Sequence, residues 1–223
     1  MNDLEKYFVN NKKRVIYKFH HYFEIYERHF ARLRGKDICV VEIGVGDGGS
    51  LQMWKDYFGP TARVVGMDVT VDPKLVQEGI EVVYGDQGKW DDLNRLTQYL
   101  GRPIDILIDD GSHRCLDQIK TFEFLFPMIA DGGVYLCEDL QTSYQEQFGG
   151  GFLRPGSFVA RLKELVDEMN AWAAEPATGQ IKTDFTRTGY SISFYPFAVA
   201  IEKRRMDQII RSAVYSGGVH VQP

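Results

Sequence analysis

With 223 residues and 44% hydrophobic residues, the chain is long and apolar enough to bury the core of one globular domain. Its net charge of −5 argues against a general nucleic-acid binder, which usually carries a basic face. The absence of a signal-peptide pattern, the absence of a bilayer-length apolar run and an odd count of 3 cysteines indicate a cytoplasmic protein with buried thiols and no membrane association.

The N-terminal run, from residue 3 to about 33, predicts one or two amphipathic helices. Aromatic residues such as Tyr7, Tyr22 and Phe30 recur there mostly at spacings of three and four. This is more aromatic surface than one helix can bury against its own sheet, so we expect a homo-oligomer. The predicted organisation is an N-terminal helical segment over 1–35, a main domain over 36–205 and a C-terminal tail over 206–223.

From Asp37 onward, short apolar strands alternate with helices. Five strands are predicted, in ICVVEIG, RVVGMDV, IEVVYGD, IDILIDD and GGVYLCEDL. The alternation predicts an α/β fold with a doubly wound, mostly parallel, Rossmann-like sheet that has helices on both faces. A helix over about 157–173 then precedes SISFYPFAVAIEKR. That stretch contains two strand runs broken at Pro196, and it predicts an antiparallel hairpin that completes a sheet of seven strands.

The loops that follow the parallel strands should lie along one edge of the sheet. Right-handed crossovers place them there, and ligands of open α/β sheets bind at that edge. Residues 141–156 are rich in glycine and lack periodicity, so we expect a mobile loop at the same edge.

A glycine-rich loop, VGDGG, follows the first strand. Its glycines fit the G-x-G-x-x-G spacing of a dinucleotide site, which alone is weak evidence. The acid two positions before the first glycine is more informative, because a carboxylate repels a phosphate and attracts an ammonium. S-adenosylmethionine (SAM) carries an ammonium and a sulfonium and has no phosphate. The acid-x-Gly-x-Gly-x-Gly form at Glu42, Gly44, Gly46 and Gly48 therefore favours SAM over NAD.

Two further acids end the second and third strands. Asp68 is placed to accept hydrogen bonds from ribose hydroxyls, a feature shared with NAD enzymes, and Asp86 could reach the adenine edge. Capping of the following helices is the alternative for both acids. The predicted cofactor-binding residues are Glu42, Gly44, Gly46, Gly48, Ser50, Asp68, Asp86 and Asp109.

Adjacent acids end the fourth and fifth predicted strands. Because these strands are neighbours in a doubly wound sheet, Asp110, Glu138 and Asp139 should meet at one edge beside the glycine loop. Oxygen ligands without cysteine suit Mg²⁺ or a similar divalent cation, and carboxylates gathered this closely would otherwise repel one another. The sequence therefore predicts a metal site formed by these three acids, with helix capping as the alternative.

Three stretches, VVEIGVGDGGSLQMWKDYFGP, IDDGSH and EDLQTSY, resemble the metal- and SAM-dependent sugar O-methyltransferases of macrolide biosynthesis. A cephalosporin-hydroxylase-like group shares this signature. The resemblance covers residues 12 to about 205 and implies a class I methyltransferase fold. It also implies Asp110, Glu138 and Asp139 as metal ligands and His113 as the general base. The implied partner is a small-molecule sugar or glycoside.

The expected reaction is metal-dependent methyl transfer from SAM to a hydroxyl of a sugar or glycosylated natural product. A catechol-like diol would also chelate the cation through two oxygens. A nicotinamide oxidoreductase would explain neither Glu42 nor the three acids, and a non-catalytic SAM-fold subunit would not need them. An iron hydroxylase would need two histidines and a carboxylate, whereas only His113 lies near the acids.

Overall fold

The computed structural model describes residues 1–71, 74, 80–175, 179–215 and 218–222. One sheet of seven strands forms its centre. These strands are β1 (Cys39–Ile43), β2 (Arg63–Asp68), β3 (Ile80–Tyr84), β4 (Ile104–Asp109), β5 (Ile129–Cys137), β6 (Gly189–Tyr195) and β7 (Ala198–Lys203). The helices are α1 (Asp3–Asn10), α2 (Tyr22–Phe30), α3 (Gly49–Phe58), α4 (Trp90–Leu100), α5 (Cys115–Leu125), α6 (Phe158–Met169) and α7 (Asp184–Thr188).

The strand order is β3–β2–β1–β4–β5–β7–β6. Strands β1 to β5 pair in parallel, whereas β7 runs antiparallel to both β5 and β6. This arrangement confirms the predicted doubly wound, mostly parallel sheet and its C-terminal hairpin. The carboxyl ends of β1, β2, β4 and β5 consequently lie along one edge, where the loops that follow them meet.

Apolar layers cover both faces of the sheet. Successive residues of a strand point to opposite faces, so Val40 packs in the layer that contains α1, α2 and α3, whereas Val41 packs in the layer that contains α4, α5 and α6. The three cysteines are free and buried, as expected. Within the described part of the chain, no helix has both the length and the apolar character needed to cross a membrane.

The N-terminal helical prediction is right for α1 and α2 and wrong for the residues between them. Residues 12–20, which we call the strap, are not helical; they run from the end of α1 across the glycine loop. The backbone N–H of Val15 donates to Oδ2 of Asp47 at 2.8 Å. A Cβ on Gly49 would collide with the backbone carbonyls of Arg14 and Val15, so the strap lies directly on the start of α3.

The aromatic side chains of α2 pack inside the chain. Tyr22, Phe23, Tyr26 and Phe30 are at most 1% exposed. We expected a homo-oligomer because the N-terminal run has more aromatic surface than one helix can bury against its own sheet. In α2, however, these four rings are buried within the chain. The oligomeric state stays a prediction.

Two regions differ in detail from the sequence analysis. The predicted loop over 141–156 contains short 3₁₀ turns at Leu140–Tyr144 and Glu146–Phe148, and the N–H of Gly151 donates to the carbonyl of Ser143 at 2.9 Å. The C-terminal tail forms a separate two-stranded sheet of β8 (Arg211–Tyr215) and β9 (Gly218–Gln222), which we did not predict.

Gly44 should tolerate substitution less well than Gly46. It has φ of 88°, and a Cβ there would collide with the backbone carbonyl of Asp110. Gly46 has φ of 51°, but a Cβ there would meet nothing within 4 Å. A left-handed conformation costs a non-glycine residue about 1–2 kcal/mol. Urea unfolding should therefore show Gly46→Ala losing about that amount and Gly44→Ala losing clearly more. Equal losses would contradict the close contact between β1 and β4.

Candidate active site

The carboxylate of Asp68 fixes the backbone of the glycine loop. Oδ2 of Asp68 accepts the backbone N–H groups of Val45 at 2.7 Å and Gly46 at 3.2 Å. Oδ1 accepts the N–H of Thr70 at 2.8 Å. Asp68 thus joins the ends of β1 and β2. An ionised carboxylate has about four acceptor positions, so these three bonds leave capacity for a ligand hydroxyl.

A cavity of about 580 Å³ lies at the carboxyl edge of the sheet. The strap forms one wall through Val15, Ile16, Tyr17 and Lys18, and the loops after the strands form the others. Of the sequence-predicted residues, the cavity is lined by Gly44, Gly46, Ser50, Asp68, Asp86, Asp110, His113 and Asp139. The structure therefore brings the predicted cofactor loop, two of the predicted metal acids and the predicted base to one space.

A buried lysine from the strap lies among the predicted acids. The Nζ atom of Lys18 is 2.6 Å from Oδ2 of Asp110 and 3.0 Å from both carboxylate oxygens of Glu138. It is also 3.4 Å from Oε1 of Glu42. The Lys18 side chain is only 2% exposed. We call Lys18, Glu42, Asp110 and Glu138 the charge cluster.

Burial and mutual attraction act in opposite directions within the charge cluster. Burial alone would lower the pKa of Lys18, but the carboxylates of Asp110, Glu138 and Glu42 raise it well above its ordinary value. Burial raises the pKa of Glu42 and of Glu138, and the Lys18 ammonium opposes both increases. The Lys18 ammonium therefore offsets part of the cost of burying these carboxylates away from water.

Two tyrosines of α2 fix the acids that follow β5. The hydroxyl of Tyr26 donates to Oε1 of Glu138 at 2.7 Å. The hydroxyl of Tyr22 accepts the N–H of Asp139 and is 3.1 Å from its Oδ1. Asp139 has φ of 56°, a left-handed conformation that turns the chain sharply at the end of the strand. Its Oδ2 lies 3.7 Å from Nε2 of His113, whose Nδ1 is buried and has no hydrogen-bond partner among the residues that the structure describes.

Asp110, His113 and Asp139 form a group with metal-binding potential. Each offers one ligand atom, and the three atoms lie within 4.8 Å of one another. Glu138 is not a member of this group. It lines a smaller cavity of about 220 Å³ together with Tyr17, Lys18, Phe19, Tyr22 and Asp139. The predicted set of three acids is therefore divided, with Glu138 bound by Lys18 and Tyr26.

Three predicted cofactor residues do not line the main cavity. Glu42 is fully buried and accepts a hydrogen bond from Ser50 at 2.6 Å. Gly48 is the N-cap of α3. Asp109 faces the opposite side of the sheet from Asp110, which lines the cavity. The carboxylate of Asp109 accepts from Gln87 at 3.0 Å and Tyr135 at 3.1 Å. We therefore remove Asp109 from the candidate cofactor residues; it fixes the end of β4 in the core.

Lys18, Tyr22 and Tyr26 are the site residues that the sequence analysis missed. All three lie in the N-terminal run, far in sequence from the strands that carry the acids. The signal that could have indicated Lys18 is a single lysine within the aromatic stretch YKFHHYF, which interrupts the apolar face of the helix predicted there. Nothing local pairs that lysine with acids more than 90 positions away.

A sequence model of the FtsJ-like methyltransferase family matches residues 12–163. The 8-demethyl-8-alpha-L-rhamnosyl tetracenomycin-C 2'-O-methyltransferase of Streptomyces olivaceus is 38% identical over 193 residues, which are 83% of this chain and 50% of that protein. The mycinamicin VI 2''-O-methyltransferase of Micromonospora griseorubida is 33% identical over 193 residues, 82% of this chain and 48% of that protein.

A structure of the MycE methyltransferase from the mycinamycin biosynthetic pathway, in complex with Mg and SAH, superposes with a TM-score of 0.81. The identity is 31%, and the superposition covers 92% of this chain and 54% of MycE. The chain thus spans about half the length of the curated relatives it matches.

Asp109 should give the fold a measurable pH dependence. Burial raises the pKa of Asp109 from 3.8 to about 7, although Gln87 and Tyr135 donate to its carboxylate. Between about pH 4 and 7 the unfolded chain has released this proton while the folded chain retains it, so stability falls as pH rises. Asp109→Asn removes the titrating group. Its free energy of unfolding should therefore rise relative to wild type across this window, by up to about 4 kcal/mol.

Urea unfolding of both proteins at several pH values checks this expectation. Asp91→Asn, at an exposed position on α4, is the matched control and should follow the wild-type curve. A constant difference between Asp109→Asn and wild type from about pH 4 to 7 would show that Asp109 titrates alike in both states.

Proposed function

The chain belongs to the FtsJ-like methyltransferase family, and on that premise we propose that it transfers a methyl group from SAM to a hydroxyl of a sugar or glycosylated natural product, with the help of a divalent cation. The observation that carries this proposal is the cavity in which the glycine loop and Asp68 meet Asp110, His113 and Asp139. It combines room for a nucleoside cofactor with a cluster of oxygen ligands and a base. The names of the curated relatives, which act on sugar hydroxyls, support the choice of acceptor.

SAM fits the part of the cavity that adjoins the glycine loop. The space beside Gly46 is open, because a Cβ there would meet no atom within 4 Å. Asp68 retains acceptor capacity for ribose hydroxyls, and Asp86 lines the same cavity further along the edge. The chain's own role here is to present a rigid loop, fixed by Asp68, against which the nucleoside is positioned.

A divalent cation fits the acids on the other side of the cavity. Carboxylate oxygens are the ligands that Mg²⁺ prefers, and Asp110 and Asp139 each offer one near His113. The surrounding carboxylates outnumber the Lys18 ammonium, so the region has a negative charge that attracts a cation. When bound, the cation acts as a Lewis acid toward the acceptor hydroxyl.

His113 is the group that receives the proton of the acceptor hydroxyl. It lines the cavity, and Asp139 lies 3.7 Å from its Nε2, close enough to stabilise the imidazolium that forms. Tyr22 holds Asp139 through its backbone N–H and its carboxylate. A buried tyrosine of α2 thus positions the acid that lies next to the proton acceptor.

The acceptor would occupy the smaller cavity next to these acids. Its walls include the aromatic side chains of Tyr17, Phe19 and Tyr22. An aromatic ring can pack on the apolar face of a sugar, and Asp139 borders both cavities. This shared acid would place the acceptor hydroxyl between the methyl donor and His113.

Metal dependence gives the first test of activity. With labelled SAM and a panel of rhamnosylated and other glycosylated acceptors, methyl transfer should stop in chelator and return with Mg²⁺. Asp139→Asn keeps the left-handed backbone conformation and removes the charge. It should reduce turnover by more than about 100-fold, beyond the range typical of a merely supporting group.

Full activity in chelator would contradict the metal dependence. Transfer to catechols but to no glycoside would contradict the proposed acceptor. Asp91→Asn is again the matched control and should retain wild-type turnover.

The role of His113 can be separated from a packing role. His113 has φ of 57°, so His113→Asn is preferred to alanine because asparagine tolerates this conformation. A positioned general base contributes about 10²–10⁴-fold. Single-turnover rates should therefore fall by that factor in His113→Asn and His113→Gln, while SAH affinity stays near wild type in both variants and the melting temperature stays near wild type in His113→Asn. A loss of rate that only follows the folded fraction would indicate a structural histidine.

A further inference from the structure

The Lys18 ammonium contacts carboxylate oxygens of Asp110 and Glu138, two of the predicted metal ligands. Both carboxylate oxygens of Glu138 are 3.0 Å from the Lys18 ammonium, and Oε1 also accepts from Tyr26. Oδ2 of Asp110 is 2.6 Å from the same ammonium. Glu138 therefore presents no oxygen to a second cation while Lys18 remains in this position, and Asp110 presents only its Oδ1.

A divalent cation and this ammonium cannot share these carboxylates without strong repulsion. Both would lie within a few ångströms of each other, in a region where Lys18 and Glu138 are each 2% exposed by side chain and water cannot screen them. Displacement requires only that the long Lys18 side chain move, and the strap that carries it belongs to no helix or strand. By contrast, Asp110 and Glu138 follow directly from central strands.

We propose that Lys18 is a built-in competitor of the divalent cation, whose ammonium neutralises Asp110 and Glu138 and is displaced when the cation binds them. The proposal rests on the metal dependence proposed above. Its consequence is that Lys18 lowers the cation affinity of the site. Since Lys18 also lines the main cavity, cation binding would change the wall that faces the cofactor.

The test is a titration with Mn²⁺ alone, followed by electron paramagnetic resonance of the unbound ion, without SAM or acceptor. Lys18→Met keeps the length of the side chain and removes its charge. Its affinity for Mn²⁺ should exceed that of wild type by about tenfold or more, because like-charge repulsion within a site is typically worth at least that factor. Lys18→Arg retains the charge and should not gain affinity.

Lys13→Met is the matched control, because Lys13 is an exposed lysine of the same strap. It should bind Mn²⁺ as wild type does. Mn²⁺ should also raise the melting temperature of Lys18→Met more than that of wild type, since the cation replaces a missing counter-ion.

Lys18→Met leaves buried carboxylates without a counter-ion and could fail to fold. In that case Lys18→Met/Glu42→Gln, which removes one charge of each sign, is compared with Glu42→Gln alone. The expected result is the same: higher Mn²⁺ affinity in the protein that lacks Lys18.

The outcomes separate this inference from the proposed function. Equal or weaker Mn²⁺ binding by the folded proteins that lack Lys18 overturns the competition and leaves metal dependence intact. Absence of Mn²⁺ binding in every variant overturns both. If the proteins bind Mn²⁺ but methylate no glycoside, only the proposed acceptor is overturned. Tighter Mn²⁺ binding in the variants that lack Lys18 supports the competition in that case too.

Discussion

The buried ion pairs of Lys18 with Glu42, Asp110 and Glu138 are the constraint on which the rest of the site depends. Removing charges from water is costly unless opposite charges and hydrogen bonds replace the solvent. The ends of β1, β4 and β5 bring these three carboxylates together, and one ammonium with Tyr26 and Ser50 replaces their water. A chain with this parallel sheet and these acids therefore needs a cation at this point in the fold. The sequence supplies it from a segment outside the sheet.

That requirement explains the course of the N-terminal region. A continuous helix from residue 3 to 33 would satisfy the aromatic periodicity, yet the chain leaves helical geometry over the strap and resumes it at α2. The extended strap reaches across the glycine loop, which carries Lys18 to the acids and sets the backbone of Val15 against Asp47. Helix α2 follows, and its buried tyrosine rings carry the hydroxyls that bind Glu138 and Asp139. In the strap, the ion pairs between Lys18 and distant acids outweigh the local preference for a helix.

The sequence was sufficient for what depends on local pattern. Apolar strands, their alternation with helices and the hairpin at Pro196 predicted the sheet, and the topology of such sheets predicted that Asp68, Asp110 and Asp139 would meet at one edge. It was insufficient where side-chain direction or distant contacts decide. Asp109 and Asp110 are adjacent at the end of a strand, so only one of them can face the cavity, and the other enters the core with Tyr135. Lys18 could not be paired with its acids because the contact exists only after the sheet has formed.

Glu42 shows how far a local electrostatic argument can reach. Its position inside β1 predicted a cationic neighbour, and the structure contains one, but the ammonium belongs to Lys18 rather than to a cofactor. A carboxylate responds to the sign and distance of a charge, and it does not distinguish an ammonium of the protein from that of a ligand. Since this acid already has a partner within the fold, the distinction between SAM and a dinucleotide has to come from other observations. One such observation is the match of residues 12–163 to the FtsJ-like methyltransferase family. A second is the group of carboxylate oxygens and a histidine beside the cavity.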